Sequence, residues 1–87
     1  MTASQEQIAE WLYDGALALK NGNREQAQEI LLRVVEADEA NAEAWLWLSG
    51  AVEDPDDQTT ALENTLEIEP NNVAAQRGLA WLKANKK

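Results

Sequence analysis

Apolar residues recur along this chain at helical spacing, in five runs separated by turn-forming residues. In the first run Ile8, Trp11, Leu12, Gly15, Ala18 and Leu19 follow the i, i+3, i+4, i+7 order of one helical face. Ser4, followed three residues later by Gln7, has the form of a capping box that opens this helix. Asn21-Gly22 closes it, since both residues tolerate the left-handed backbone of a helix C-terminus. Asn23 with Gln26 repeats the start signal, and Ala27, Ile30, Leu31, Val34 and Val35 form the second stripe. So short a connection makes the two helices antiparallel neighbours.

Asn41 is the expected cap of a third helix. There Ala44-Trp45-Leu46-Trp47-Leu48 puts large apolar groups around nearly the whole circumference, which predicts burial on more than one side. Asp54-Pro55-Asp56-Asp57 opens a fourth, with Asp as cap, Pro at the first helical position and acids near the positive end of the dipole. Ala61, Leu62, Thr65, Leu66 and Ile68 carry its stripe. Pro70-Asn71-Asn72 breaks the chain, and a fifth helix runs from Val73 to about Lys83 with Leu79 and Leu82 inward. No strand pattern, linker or low-complexity segment appears, so the predicted fold class is all-α.

The runs are also self-similar. Ala9-Glu10-Trp11 and Glu43-Ala44-Trp45 place their tryptophans 34 residues apart, and Gly15 then matches Ser49. In the second helix of each pair Ala27, Leu31, Val34 and Asp38 match Gln58, Leu62, Thr65 and Glu69, now 31 apart. The three-residue difference falls between the paired helices and predicts a shortened second turn. A helix pair of about 34 residues is the period of the tetratricopeptide repeat.

The residues resemble that family as well. Trp11, Gly15, Gly22, Ala27 and Asp38 are similar to its first-unit pattern, while Ala42 to Leu48 and Leu66 to Asn72 look like the start and the terminal Pro-Asn-Asn of a second unit. The resemblance implies one domain over residues 1–87, with repeat 1 at 8–41, repeat 2 at 42–72 and a capping helix at 73–87. It implies antiparallel helix pairs stacked as a short superhelix, with small residues at Gly15 and Ser49 for close approach and tryptophans in the wedge between units. Glu39, Asp14 and Gln58 depart from the pattern, standing where proline, a large apolar residue and alanine are usual. A generic helical bundle is the alternative fold.

Composition narrows the chemistry. Eighty-seven residues make one small domain, and 45% apolar residues suffice for a core. Neither cysteine nor histidine is present, which removes disulfides, thiolate nucleophiles, cysteine–histidine zinc sites and the usual general base near neutral pH. Asp54, Asp56 and Asp57 lack the glycine and bidentate glutamate of a calcium loop, and helix capping accounts for them. No nucleophile motif and no glycine-rich phosphate loop occurs. The chain therefore does not read as an enzyme, and no metal or cofactor is expected.

Net charge is −9, and no Lys or Arg lies between Arg33 and Arg77. Such a surface repels phosphates, which argues against nucleic acid as partner, and it suits a protein with a basic flank. The N-terminus lacks a signal-peptide pattern and no apolar run approaches a membrane span, so the expected compartment is the cytoplasm.

By the resemblance, the first helix of each pair lines a concave groove that grips a peptide or helix. The groove side chains would be Leu12, Tyr13, Ala16, Leu19, Leu46, Trp47, Gly50, Arg77 and Trp81. The family's best-known groove clamps a C-terminal carboxylate with Lys, Asn and Arg. The corresponding positions hold Leu12, Ala16, Trp47, Ala74 and Gly78, so that clamp is absent. An apolar, aromatic groove suits an apolar or amphipathic segment, making the expected function a protein-interaction adaptor or scaffold. Two other functions stay open: an acidic DNA mimic that inhibits a nucleic-acid-binding protein, and a homo-oligomerisation domain. Two units fall short of the three that repeat arrays normally need for stability, which either a homodimer or further domains of a longer protein would remedy. Trp11 and Trp45 read as core, while Trp47 and Trp81 read equally well as groove or as packing between the third and fifth helices.

Overall fold

The computed structural model describes residues 4–85 and comprises five α-helices: α1 (Gln5–Lys20), α2 (Arg24–Ala37), α3 (Ala42–Ala51), α4 (Pro55–Ile68) and α5 (Val73–Ala84). Polar caps set most of the starts. Ser4 Oγ accepts from the Gln7 amide at 3.1 Å, Asn41 Oδ1 from Ala44 at 3.0 Å, Asp54 Oδ1 from Asp56 at 2.8 Å and Asn72 Oδ1 from Ala75 at 2.9 Å. Pro55 occupies the first turn of α4, where its missing N–H leaves no hydrogen bond unmade.

Asn23 departs from its predicted capping role, because its side chain makes no hydrogen bond to α2. Its backbone is engaged by the end of α1 instead. Gly22 takes the left-handed conformation at φ +84, its amide donates to the Leu19 carbonyl at 3.1 Å, and the Asn23 amide donates to Ala18 at 2.8 Å. This is a Schellman closure. It holds Asn23 at φ −91, ψ 70, away from the extended backbone that a capping side chain prefers.

Packing follows chain order. α1 pairs with α2 and α3 with α4 as antiparallel neighbours, α2 joins α3 and α4 joins α5, and α1 also reaches α3. The core forms from Ile8 and Ala18 of α1, Leu31 and Val34 of α2, and Ala44 and Leu48 of α3, with Trp11, Trp45 and Trp47 packed against it half-buried. Complete burial of a leucine such as Leu31 contributes roughly 1.5–3 kcal/mol. Thr65 is the one buried polar residue among those described, and its hydroxyl donates to the Ala61 carbonyl at 2.9 Å.

The predicted short second turn proves to be a short helix. Both paired connections span three residues, 21–23 and 52–54, but α1 runs nine residues past Trp11 and α3 only six past Trp45. α2 and α4 have equal lengths of 14 residues. The end of α3 is then capped from two sides. Gln28 Nε2 donates to the Ala51 carbonyl at 2.7 Å, and Gln58 Nε2 donates to Val52 at 2.9 Å. Gln58, one of the departures from the repeat pattern, thus satisfies a carbonyl that the truncation leaves at a helix end. Among the described residues no helix is long and apolar enough to cross a membrane.

Candidate functional site

α1 turns Ile8, Gly15 and Ala18 inward, so the side chains about a third of a turn away are left beside α3. They form an open groove of about 480 Å³, lined by Leu12, Tyr13, Ala16, Leu17 and Lys20 of α1 and by Glu43 and Trp47 of α3. Tyr13 is 68% exposed and Leu17 43%, while Leu12 and Trp47 are half-buried and join the groove to the core. Lys20 Nζ stands 6.0 Å from the centre of the Trp47 ring, a cation–π distance.

The nine side chains assigned to one groove from sequence divide in space. Leu12, Tyr13, Ala16 and Trp47 share the α1–α3 groove. Leu46 and Trp81 line a separate depression of about 270 Å³ among α3, α4 and α5, beside Leu62 and Gly78. Leu19 and Gly50 face each other where α1 meets α3, with 3.3 Å from a Cβ built on Gly50 to Leu19 Cδ2. Arg77 is exposed on α5 and lines neither cavity. Trp47 packs toward α1, and Trp81 is 64% exposed at the other end, so the two indoles do not share a groove.

Two further concavities carry features that sequence reasoning passed over. One lies between the C-terminal ends of α2 and α4 and holds about 630 Å³, with Leu32, Val35, Trp45 and Ile68 as its apolar lining and Glu36, Glu39 and Glu67 at its edges. The signal for it is Leu32, which follows Ile30 and Leu31 but falls off their stripe. The other, about 590 Å³, runs between α4 and α5 past Pro55, Thr59, Leu79 and Trp81. α5 is thinly held there, with Ala75 its single buried residue.

Charge is mostly unpaired among the described residues. Among the described residues Arg24 and Glu53 make the one ion pair, at 3.5 Å and well exposed. Such pairs contribute about 0–1 kcal/mol. Arg33 lies over the Trp11 ring at 5.5 Å. Among the described residues no group of His, Cys, Asp and Glu is placed to hold a metal ion. No family model matches the chain, and no curated protein matches it.

Proposed function

We propose that this chain is a tetratricopeptide-type interaction module, a binding protein and not an enzyme, which docks an apolar or amphipathic peptide segment in the α1–α3 groove. One observation carries this reading: Tyr13 and Leu17 stand exposed beside Leu12 and Trp47 in one open groove with a mainly apolar lining. An aromatic pair on helices loses little side-chain entropy on binding and offers large contact area. Lys20 and Glu43 at the rim give the bound segment a direction by their opposite charges. The family reading is supported by the two helix pairs, the 34-residue tryptophan spacing and the close approach of Gly15 to Leu31.

The test uses the photocrosslinker p-benzoylphenylalanine in place of Tyr13, a position exposed enough to accept it. A discrete crosslinked protein, lost on Ala16→Glu with the helical melting curve unchanged, supports the groove. Crosslinking that Ala16→Glu leaves intact would sink it.

A second reading, self-association, is favoured by α5. Val73 and Trp81 are 54% and 64% exposed on a helix that buries almost nothing. Sedimentation equilibrium over a wide concentration range decides it, since a fixed monomer mass removes this reading.

A further inference from the structure

Two helices end in the α2–α4 groove. Glu36 belongs to the last turn of α2 and Glu67 and Ile68 to the last turn of α4, and Trp45 of α3 lies between them. The unpaired carbonyls of a helix C-terminus carry partial negative charge, and neither α2 nor α4 has a basic residue in its last turn to offset it. Glu36, Glu39 and Glu67 add three exposed carboxylates, none of them in an ion pair among the described residues. Beneath this negative rim the surface is apolar, with Leu32 47% exposed and Trp45 and Ile68 half-buried.

The indoles sharpen the picture. Trp11 has Arg33 over its ring and Trp47 has Lys20, but Trp45 has no such cation among the described residues. Its N–H donates to the Glu39 carbonyl at 2.9 Å, which fixes the ring in the groove. A fixed aromatic face beside three carboxylates and two negative helix ends is a strong place for a cation from outside.

We propose that this groove docks a segment of a second protein that carries one or two large aliphatic side chains flanked by lysine or arginine. Each alternative chemistry leaves something unsatisfied. A neutral apolar segment would strip water from three carboxylates without replacing it, and an acidic segment or nucleic acid would be repelled. A purely polycationic segment would leave Leu32 and Ile68 uncovered. The site is distinct from the α1–α3 groove, so the module can hold two segments at once and join them.

The experiment is titration of the 15N-labelled protein with two synthetic amphipathic peptides, one of leucine and lysine, the other with every lysine replaced by glutamate. The leucine–lysine peptide should shift the amides of Leu32, Glu36 and Glu67 and the Trp45 indole N–H, and the glutamate peptide should shift none of them. Glu36→Gln with Glu67→Gln should weaken binding by about tenfold or more. Leu32→Ser, at a position exposed enough to leave the fold intact, should do the same. Shifts spread over Glu10, Glu25 and Glu53, with affinity unchanged in both variants, would overturn the proposal in favour of diffuse charge attraction. Shifts centred on Tyr13 and Leu17 would overturn it while supporting the α1–α3 groove. Concentration-dependent shifts of the same signals without peptide would make a second copy the occupant and overturn it as well.

Discussion

Gly15 of α1 and Leu31 of α2 meet so closely that a Cβ built on Gly15 would stand 2.8 Å from both Cγ and Cδ2 of Leu31. Leu31 is fully buried and has nowhere to move. Gly15→Ala therefore reverses the usual gain of about 1 kcal/mol for alanine in a helix interior and should destabilise by roughly 1–2 kcal/mol. Gly50→Ala, whose Cβ would meet only the far end of half-buried Leu19, should be neutral or stabilising by a few tenths of a kcal/mol. The urea midpoint of Gly15→Ala should fall below the wild-type value, and that of Gly50→Ala should equal or exceed it.

The glutamines at the end of α3 give a second test. Gln28→Ala and Gln58→Ala each remove one hydrogen bond to a part-buried carbonyl, at a cost of about 1 kcal/mol. Gln58→Glu should be worse than Gln58→Ala, because a carboxylate at neutral pH has no proton to donate and brings negative charge to a helix C-terminus. A wild-type unfolding midpoint in Gln58→Ala would show that the carbonyl of Val52 does not depend on this bond, and equal midpoints for the alanine and glutamate variants would show that the added charge costs nothing.

Salt should stabilise the fold. With a net charge of −9 and one exposed ion pair among the described residues, repulsion outweighs attraction at the surface. Raising ionic strength from about 0.01 to 1 M shortens the screening length from about 30 to 3 Å and should raise the melting temperature. A fall in melting temperature over the same range would contradict this balance.

Trp81 should dominate the exposed fluorescence. It is 64% exposed, whereas Trp11, Trp45 and Trp47 are half-buried against the core. Trp81→Phe should remove the red-edge emission that acrylamide quenches most readily, with stability changed by less than about 0.5 kcal/mol. Hydrogen exchange should agree, with the α5 amides the fastest among the helices because Ala75 alone is buried there.

Much of this architecture is legible from residue type and spacing, because the determinants are local. Ser4, Asn41 and Asp54 cap the helices they precede, and the apolar stripes find the faces that pack. Asn23 is different: the Schellman closure of α1 depends on the φ of Gly22 and on carbonyls up to five residues back, so the composition of the next helix start does not reveal it. Sequence alignment locates the three missing residues between Trp45 and Gln58 but does not say whether helix or turn gives them up. Gln28 and Gln58 decide that by capping α3 early, and Gln28 is 23 residues away.

The grooves are less legible for a further reason. Spacing assigns a residue to a helical face, but which face meets which neighbour depends on how each helix is rotated in the stack. Leu46 and Trp47 are adjacent in sequence and point into different cavities. The acidic edge of the α2–α4 groove combines Glu36 of α2, Glu39 of the α2–α3 connection and Glu67 of α4, a grouping that only the packing of both helices on α3 creates.

The order of packing along the chain has a mechanical side. Each helix rests mainly on its neighbours in sequence, and α1 against α3 is the longest reach in the principal contacts. Few distant segments must find one another, so the chain should fold on the microsecond to millisecond scale of low-contact-order domains. A pull on the two ends would then load the helices in series and peel the molecule open instead of shearing it. α5, resting chiefly on α4 with one alanine buried, would let go first at low force. The body of α1 to α4 would follow as the stronger, later event.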